Sequence, residues 1–228
     1  MMMNICNVIE RVLSFLRAKT KIGGLEISDT ALRFAFFKGG VLRVVGLRLP
    51  PGIVENGEVK NREQLIEALK NLRQQIPADF RGKSPVNVIA TLSSVRIYIH
   101  AFTLPLIEGE GLEEAVQLNI RMISPFELSQ AYAGWQPVHQ NENEFKLEIL
   151  TAFVNKALID QLITLLKEAG FSPIAVESGA LSLARLLREK AIGFEPDKFY
   201  LVASIDNRGL QFLIIRRGQL HFEYFNSW

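Results

Sequence analysis

Residues 25–42, LEISDTALRFAFFKGGVL, and residues 203–220, ASIDNRGLQFLIIRRGQL, carry one pattern written twice. Ile27 aligns with Ile205, Leu32 with Leu210, Phe34 with Phe212, Gly40 with Gly218 and Leu42 with Leu220. Each copy reads as strand, polar turn, alternating strand, glycine turn, strand. The polar turns are Ser28, Asp29 and Thr30 in the first copy and Asp206, Asn207 and Arg208 in the second. A chain that repeats a three-stranded meander at this distance is expected to fold as two related lobes. Their polar turns then face each other across a cleft.

Composition narrows what such a chain does. With 228 residues, 48% of them apolar, there is material for a sizeable core. A formal charge of +2 without a concentrated basic face gives no footprint for nucleic acid. Cys6 is the single cysteine, so neither an internal disulfide nor a cysteine metal site is available. His100, His139 and His221 are scattered without metal-ligand spacing, and no metal site is expected. No apolar run approaches the ~20 residues that span a bilayer. The N-terminus lacks basic residues ahead of its apolar positions, unlike a secretory signal. The expected compartment is the cytoplasm.

Residues 1–20 read as an amphipathic helix. Ile5, Val8, Ile9, Val12, Leu13 and Leu16 lie at helical spacing, with Glu10, Arg11, Ser14 and Arg17 on much of the other side. It packs on its own domain or lies on a membrane surface or partner. A first lobe follows over residues 21–93: the meander, a helix capped by Asn61 with Leu65, Leu69, Leu72 and Ile76 inward, and a buried strand after Pro85. Residues 94–172 alternate strand, helix, strand, strand, helix and read as an inserted α+β subdomain. Residues 173–197 return to the first lobe as a strand and a helix, and residues 198–228 open a second lobe. Nothing in the sequence after this meander covers its sheet, leaving Phe212, Ile214, Phe222 and Phe225 on an open face. The chain is therefore expected to be the front part of a longer protein, or to have a partner that completes the second lobe.

Two strand–turn–strand loops facing across a cleft are the logic of the actin-like (ribonuclease H-like) fold, an α/β class in which such loops hold a nucleotide's phosphates. Residues 22–49, LRLPPGIVENGEVKNREQLIEALKNL at 47–72, residues 102–138 and residues 149–187 occur together in the order expected of one family. The chain resembles the PilM family, actin-like cytoplasmic proteins of type IV pilus assembly. The resemblance implies an inserted subdomain in place of an actin subdomain, and a non-catalytic scaffold peripheral to the inner membrane. It also implies a PilN-like inner-membrane partner whose N-terminal peptide docks between the first lobe and the insertion. Ile97, Ile99, Phe102, Leu112 and Val116 are the expected lining of that groove. The same architecture leaves open the cytoplasmic L-type subunit of type II secretion, a degenerate actin-like ATPase or small-molecule kinase, and an FtsA-like membrane-tethered protein.

Intact family members bind ATP with magnesium, and their phosphate loops open on Asp-Ile-Gly. Here the loops open on Glu26-Ile27-Ser28 and Ser204-Ile205-Asp206, so both glycines are gone. Asp29 and Asp206 add negative charge where a phosphate would sit, a repulsion of a few kcal/mol in order of magnitude. The segment that would hold adenine is missing from this sequence. No cofactor and no useful nucleotide binding are expected at Ser28, Asp29, Thr30, Asp206, Asn207 and Arg208. Arg33 reads as a solvent-facing strand residue.

Overall fold

A computed structural model describes residues 21–92, 94–107, 110–141, 145–190, 193–195, 198–205 and 209–227. The expected helix of residues 1–20 and the second polar turn at 206–208 lie outside the described residues.

The first meander comprises β1 (Ile22–Ile27), β2 (Ala31–Lys38) and β3 (Val41–Arg48), paired antiparallel. Gly39 and Gly40, at φ 59° and 78°, make the β2–β3 turn, a backbone region that glycine enters without a steric cost. Alternation sends Leu25, Ile27, Leu32, Phe34 and Phe36 inward. A small hairpin follows, β4 (Val54–Glu55) and β5 (Glu58–Val59), turning through Asn56 and Gly57 at φ 50° and 71°. In α1 (Arg62–Gln75) the Asn61 carboxamide oxygen accepts from the Gln64 N–H at 3.1 Å, and Leu65, Leu69 and Leu72 form the buried stripe. A one-turn helix, α2 (Ala78–Arg81), brings Phe80 against Phe34 and Phe36, with ring centroids 5.7 and 4.8 Å apart. The strand β6 (Val86–Leu92) then runs parallel beside β1.

The insertion is β7 (Ile97–Pro105), α3 (Glu110–Ile123), β8 (Ala131–Asn141) and β9 (Lys146–Asn155), with strands in the order β7-β9-β8. Leu104, Val116, Ile120, Leu147, Ile149 and Phe153 form its core. The Asn155 side chain caps α4 (Lys156–Glu168) by accepting from the Leu158 N–H, and β10 (Phe171–Ser178) follows. The main sheet thus has the order β10-β6-β1-β2-β3.

Two expected boundaries move. The helix α4 and the start of β10, grouped with the insertion over 94–172, pack instead into the first-lobe core through Ile159, Leu162, Leu165, Leu166 and Phe171. Likewise α5 (Gly179–Lys190), grouped with the first lobe, buries Ala180 and Ala184 against Leu213, Ile215 and Leu220. Those residues belong to the second meander, β11 (Phe199–Ile205), β12 (Gly209–Arg216) and β13 (Gln219–Ser227), again antiparallel. The helix α5 covers the face that carries Leu213, Ile215 and Leu220. The face expected to be open, with Phe212, Ile214 and Phe222, leaves Leu201, Phe222 and Tyr224 exposed, whereas Phe225 lies opposite Gln211 on the other face. An apolar stripe fixes that a helix packs, but not on which neighbour.

Candidate functional site

The first polar turn closes on itself. Ser28 is buried; its Oγ donates to the Ala31 carbonyl at 3.0 Å and accepts from the Ala31 N–H at 3.1 Å. Asp29 reaches across to the β4–β5 turn. Its Oδ2 accepts from the Asn56 N–H at 2.7 Å and its Oδ1 from the Gly57 N–H at 3.0 Å. Thr30 is exposed and its carbonyl accepts from the Leu49 N–H. Arg33 Nη1 donates to both Glu26 carboxylate oxygens across β1 and β2, at 2.9 and 3.0 Å, which is the strand-surface role its position suggests.

The Asn56-Gly57 turn is held from a second side. Arg96, last residue of the turn before β7, donates from Nε to the Asn56 carbonyl at 2.7 Å and pairs with Glu58 at 3.0 Å. Lys60 joins Glu58 at 3.1 Å. The Lys60 hydrogen bond and charge, with Arg96 adding to them, hold the Glu58 carboxyl below its ordinary value. A hairpin with two residues per strand is thus clamped between the first turn and the insertion.

Beside this clamp lies a cleft of about 380 Å³. Ile27, Val54 and Val59 from the first lobe, Leu158 and Leu162 from α4, and Tyr98 and Phe126 from the insertion give it apolar walls. Arg96, Glu58, Asn155 and Gln161 give it polar groups. The five residues expected to line a partner groove do not converge there. Ile97 packs on the first-lobe core and Ile99 on the core of α5 and the second meander, while Phe102 and Leu112 pack on the core of the insertion. Val116 is wholly buried within that core. Ile97 and Ile99 also line a second groove, of about 480 Å³, opposite Tyr224 and Phe225 of β13. The residues that sequence reading missed are Arg96, Glu58, Tyr98 and Phe126. Only the Asn56-Gly57 dipeptide, a strong turn signal, pointed toward the clamp.

In the first turn both Asp29 oxygens accept backbone N–H bonds and the Ser28 hydroxyl is folded back onto Ala31. Asp206, Asn207 and Arg208 are outside the described residues. Among the described residues no cluster of three or more His, Cys, Asp or Glu side chains is arranged to hold a metal ion. His221 Nδ1 lies 3.1 Å from Glu148 of β9 and joins the second meander to the insertion. The His100 carbonyl accepts from Thr151 Oγ1. No described helix is long and apolar enough to cross a membrane.

Comparison with known proteins gives the following. The family described as "Type IV pilus assembly protein PilM" matches residues 24–225. No curated protein matches the chain. The solved PilM–PilN type IV pilus biogenesis complex superposes with a TM-score of 0.74 at 20% identity, over 91% of this chain and 61% of that one. The cytoplasmic domain of EpsL, an inner-membrane component of the type II secretion system of Vibrio cholerae, gives 0.54 at 10% identity, over 90% and 71%. A Bacteroides thetaiotaomicron protein with an actin-like ATPase fold and unknown function gives 0.50 at 13% identity, over 94% and 72%. The fold is therefore actin-like. The chain spans about three fifths of the PilM chain it superposes on.

Proposed function

The chain belongs to the PilM family of type IV pilus assembly proteins, and on that premise we propose that it is a non-catalytic scaffold that docks a PilN-like partner. The docking site is the cleft between the first lobe and the insertion, and the ligand is the cytoplasmic N-terminal peptide of an inner-membrane protein. The observation that carries this reading is the cleft itself, with apolar walls from both sides and polar groups at its edge. Such a channel suits an extended peptide that buries alternate aliphatic side chains while its backbone bonds to flanking polar groups. The solved complex of PilM with PilN supports the choice of partner class. Localisation follows as cytoplasmic, held at the inner membrane through the partner.

The scaffold does not turn over nucleotide. Asp29 supports this, since a carboxylate engaged by Asn56 and Gly57 is spent on the fold. Calorimetry with magnesium and ATP should find nothing tighter than the millimolar range, roughly −4 kcal/mol.

The docking is tested by titrating the chain with the N-terminal peptide of the PilN-like protein encoded beside it. Val116→Asp is unsuitable because it breaks a core. Tyr98, which is half exposed on the cleft wall, is the better choice. Tyr98→Ser should weaken binding at least about tenfold, or 1.4 kcal/mol, with circular dichroism unchanged. Equal affinity for the variant would move the peptide elsewhere, and the absence of binding to the folded chain would end the scaffold reading.

A further inference from the structure

The main sheet has two faces, and only one carries helices α1 and α4. Register assigns Ile22, Gly24 and Glu26 of β1 to the outward face, in line with Ala35 and Arg33 of β2 and with Ile89 and Thr91 of β6. Phe37 of β2 and Leu42 and Val44 of β3 continue that face toward the edge. It is divided along its length. Glu26, Arg33 and Thr91 make one end polar. The other end gathers Ile22, Phe37, Leu42 and Val44, exposed to 44, 68, 56 and 57%, with the uncharged Asn87 of β6 beside Ile22. Gly24, at its centre, has nothing within 4 Å of where a Cβ would be. A contiguous apolar patch of this kind marks a covered surface.

We propose that residues 1–20 of this same chain cover it, as a helix laid across the apolar end of the sheet. Three observations select this occupant. The first is connection: the segment enters β1 at Ile22, which is itself part of the patch. The second is size. A helix over residues 4–17 is about 21 Å long at ~1.5 Å per residue, and four spacings of ~4.8 Å make the five-stranded sheet about 19 Å wide. Residues 18–21 reach about 13 Å when extended, more than the ~10 Å between packed layers. The third is chemistry. The stripe Ile5, Val8, Ile9, Val12, Leu13, Leu16 matches an uncharged surface, whereas the opposite side, with Asn4, Asn7, Glu10, Arg11, Ser14 and Arg17, carries a net charge of only +1, the basic Lys19 and Lys21 coming after the stripe. A helix built for an anionic membrane surface is rich in Lys and Arg on that side.

The test uses the full chain with Cys6→Ser, so that an introduced thiol stands alone, and Leu42→Cys as the probe. Labelling of that thiol should be at least about tenfold slower than in a chain also carrying Val8→Asp and Val12→Asp, a difference of ~1.4 kcal/mol in opening. A second measurement does not depend on disrupting the stripe. With native Cys6 retained, mild oxidation should give an intramolecular disulfide with at least one of Phe37→Cys, Leu42→Cys or Val44→Cys. Equal labelling rates with no disulfide would overturn the proposal. So would protection that grows with protein concentration, which indicates a second copy. Protection of the thiol only when phosphatidylethanolamine–phosphatidylglycerol vesicles are added would overturn it in favour of lipid.

Discussion

Replacing Asp29 with alanine separates two roles that a carboxylate in this turn can have. In this structure it accepts from the Asn56 and Gly57 N–H groups at 2.7 and 3.0 Å. A hydrogen bond to a charged group contributes about 1.5–3 kcal/mol when sheltered. One of these bonds is exposed and the other part-buried, so the pair together is worth about 2 kcal/mol. The loss falls on a hairpin that has few bonds of its own, with Val54 opposite Val59 and Glu55 opposite Glu58. Exchange of the Asn56 and Gly57 amides, followed by mass spectrometry on peptides across residues 50–60, should quicken by about 30-fold, the equivalent of ~2 kcal/mol. A chain of this size should lose about 5 °C in its unfolding midpoint. Asp29→Asn keeps one acceptor and should show a smaller loss. Unchanged exchange with a midpoint within about 1 °C would refute the structural assignment. Loss of measurable magnesium–ATP binding in Asp29→Ala would make the carboxylate a cofactor group instead.

Gly23→Ala drives a Cβ to 2.1 Å from the Phe34 ring, which is fully buried beside Phe36, Phe80 and Phe171; urea unfolding should show a cost of about 1–3 kcal/mol, and a neutral result would mean the ring has room to shift. Val116→Asp puts a charge into the core of the insertion, so aromatic circular dichroism from Trp135 should collapse while the β1–β6 amides keep their protection; simultaneous loss of both would show that the insertion and the first lobe unfold as one unit. Carboxyl NMR of Glu58 should titrate below the unperturbed value of 4.5. Because its folded pKa is lowered, its contribution to the clamp is complete above that value and is lost as pH falls through the lower, folded-state midpoint. A midpoint at or above 4.5 would place Lys60 and Arg96 too far away to act.

Much of the fold was legible because its signals are local. The alternation through Leu32, Phe34 and Phe36, the glycine pair at 39 and 40, and the caps at Asn61 and Asn155 each depend on neighbours within a few residues. Assigning α4 and α5 to their lobes was not legible, because Leu165 and Ala184 read as buried whichever core receives them. The candidate site shows the same divide. Ser28 and Asp29 stood out as departures from a glycine loop, but their partner turn lies 27 residues away. Arg96 carried no signal, since an arginine before a strand looks the same with or without a carbonyl and a carboxylate to bind. Val116 was placed in the groove because the resemblance puts a groove there and the residue is apolar, and apolarity does not separate a lining from the core in which it is buried.

The parallel pairing of β6 with β10 has a kinetic consequence. All of residues 93–170 intervene between the two strands, so their ladder is a contact of long sequence separation, the kind that slows folding. Chain closure over that span becomes easier once β7, β8, β9 and α3 have condensed into a compact body that shortens the gap. During synthesis, β1, β2, β3 and β6 emerge well before Phe171, and Phe34 waits without one of its ring partners. Early folding of the insertion therefore favours docking of β10 at the edge of the sheet.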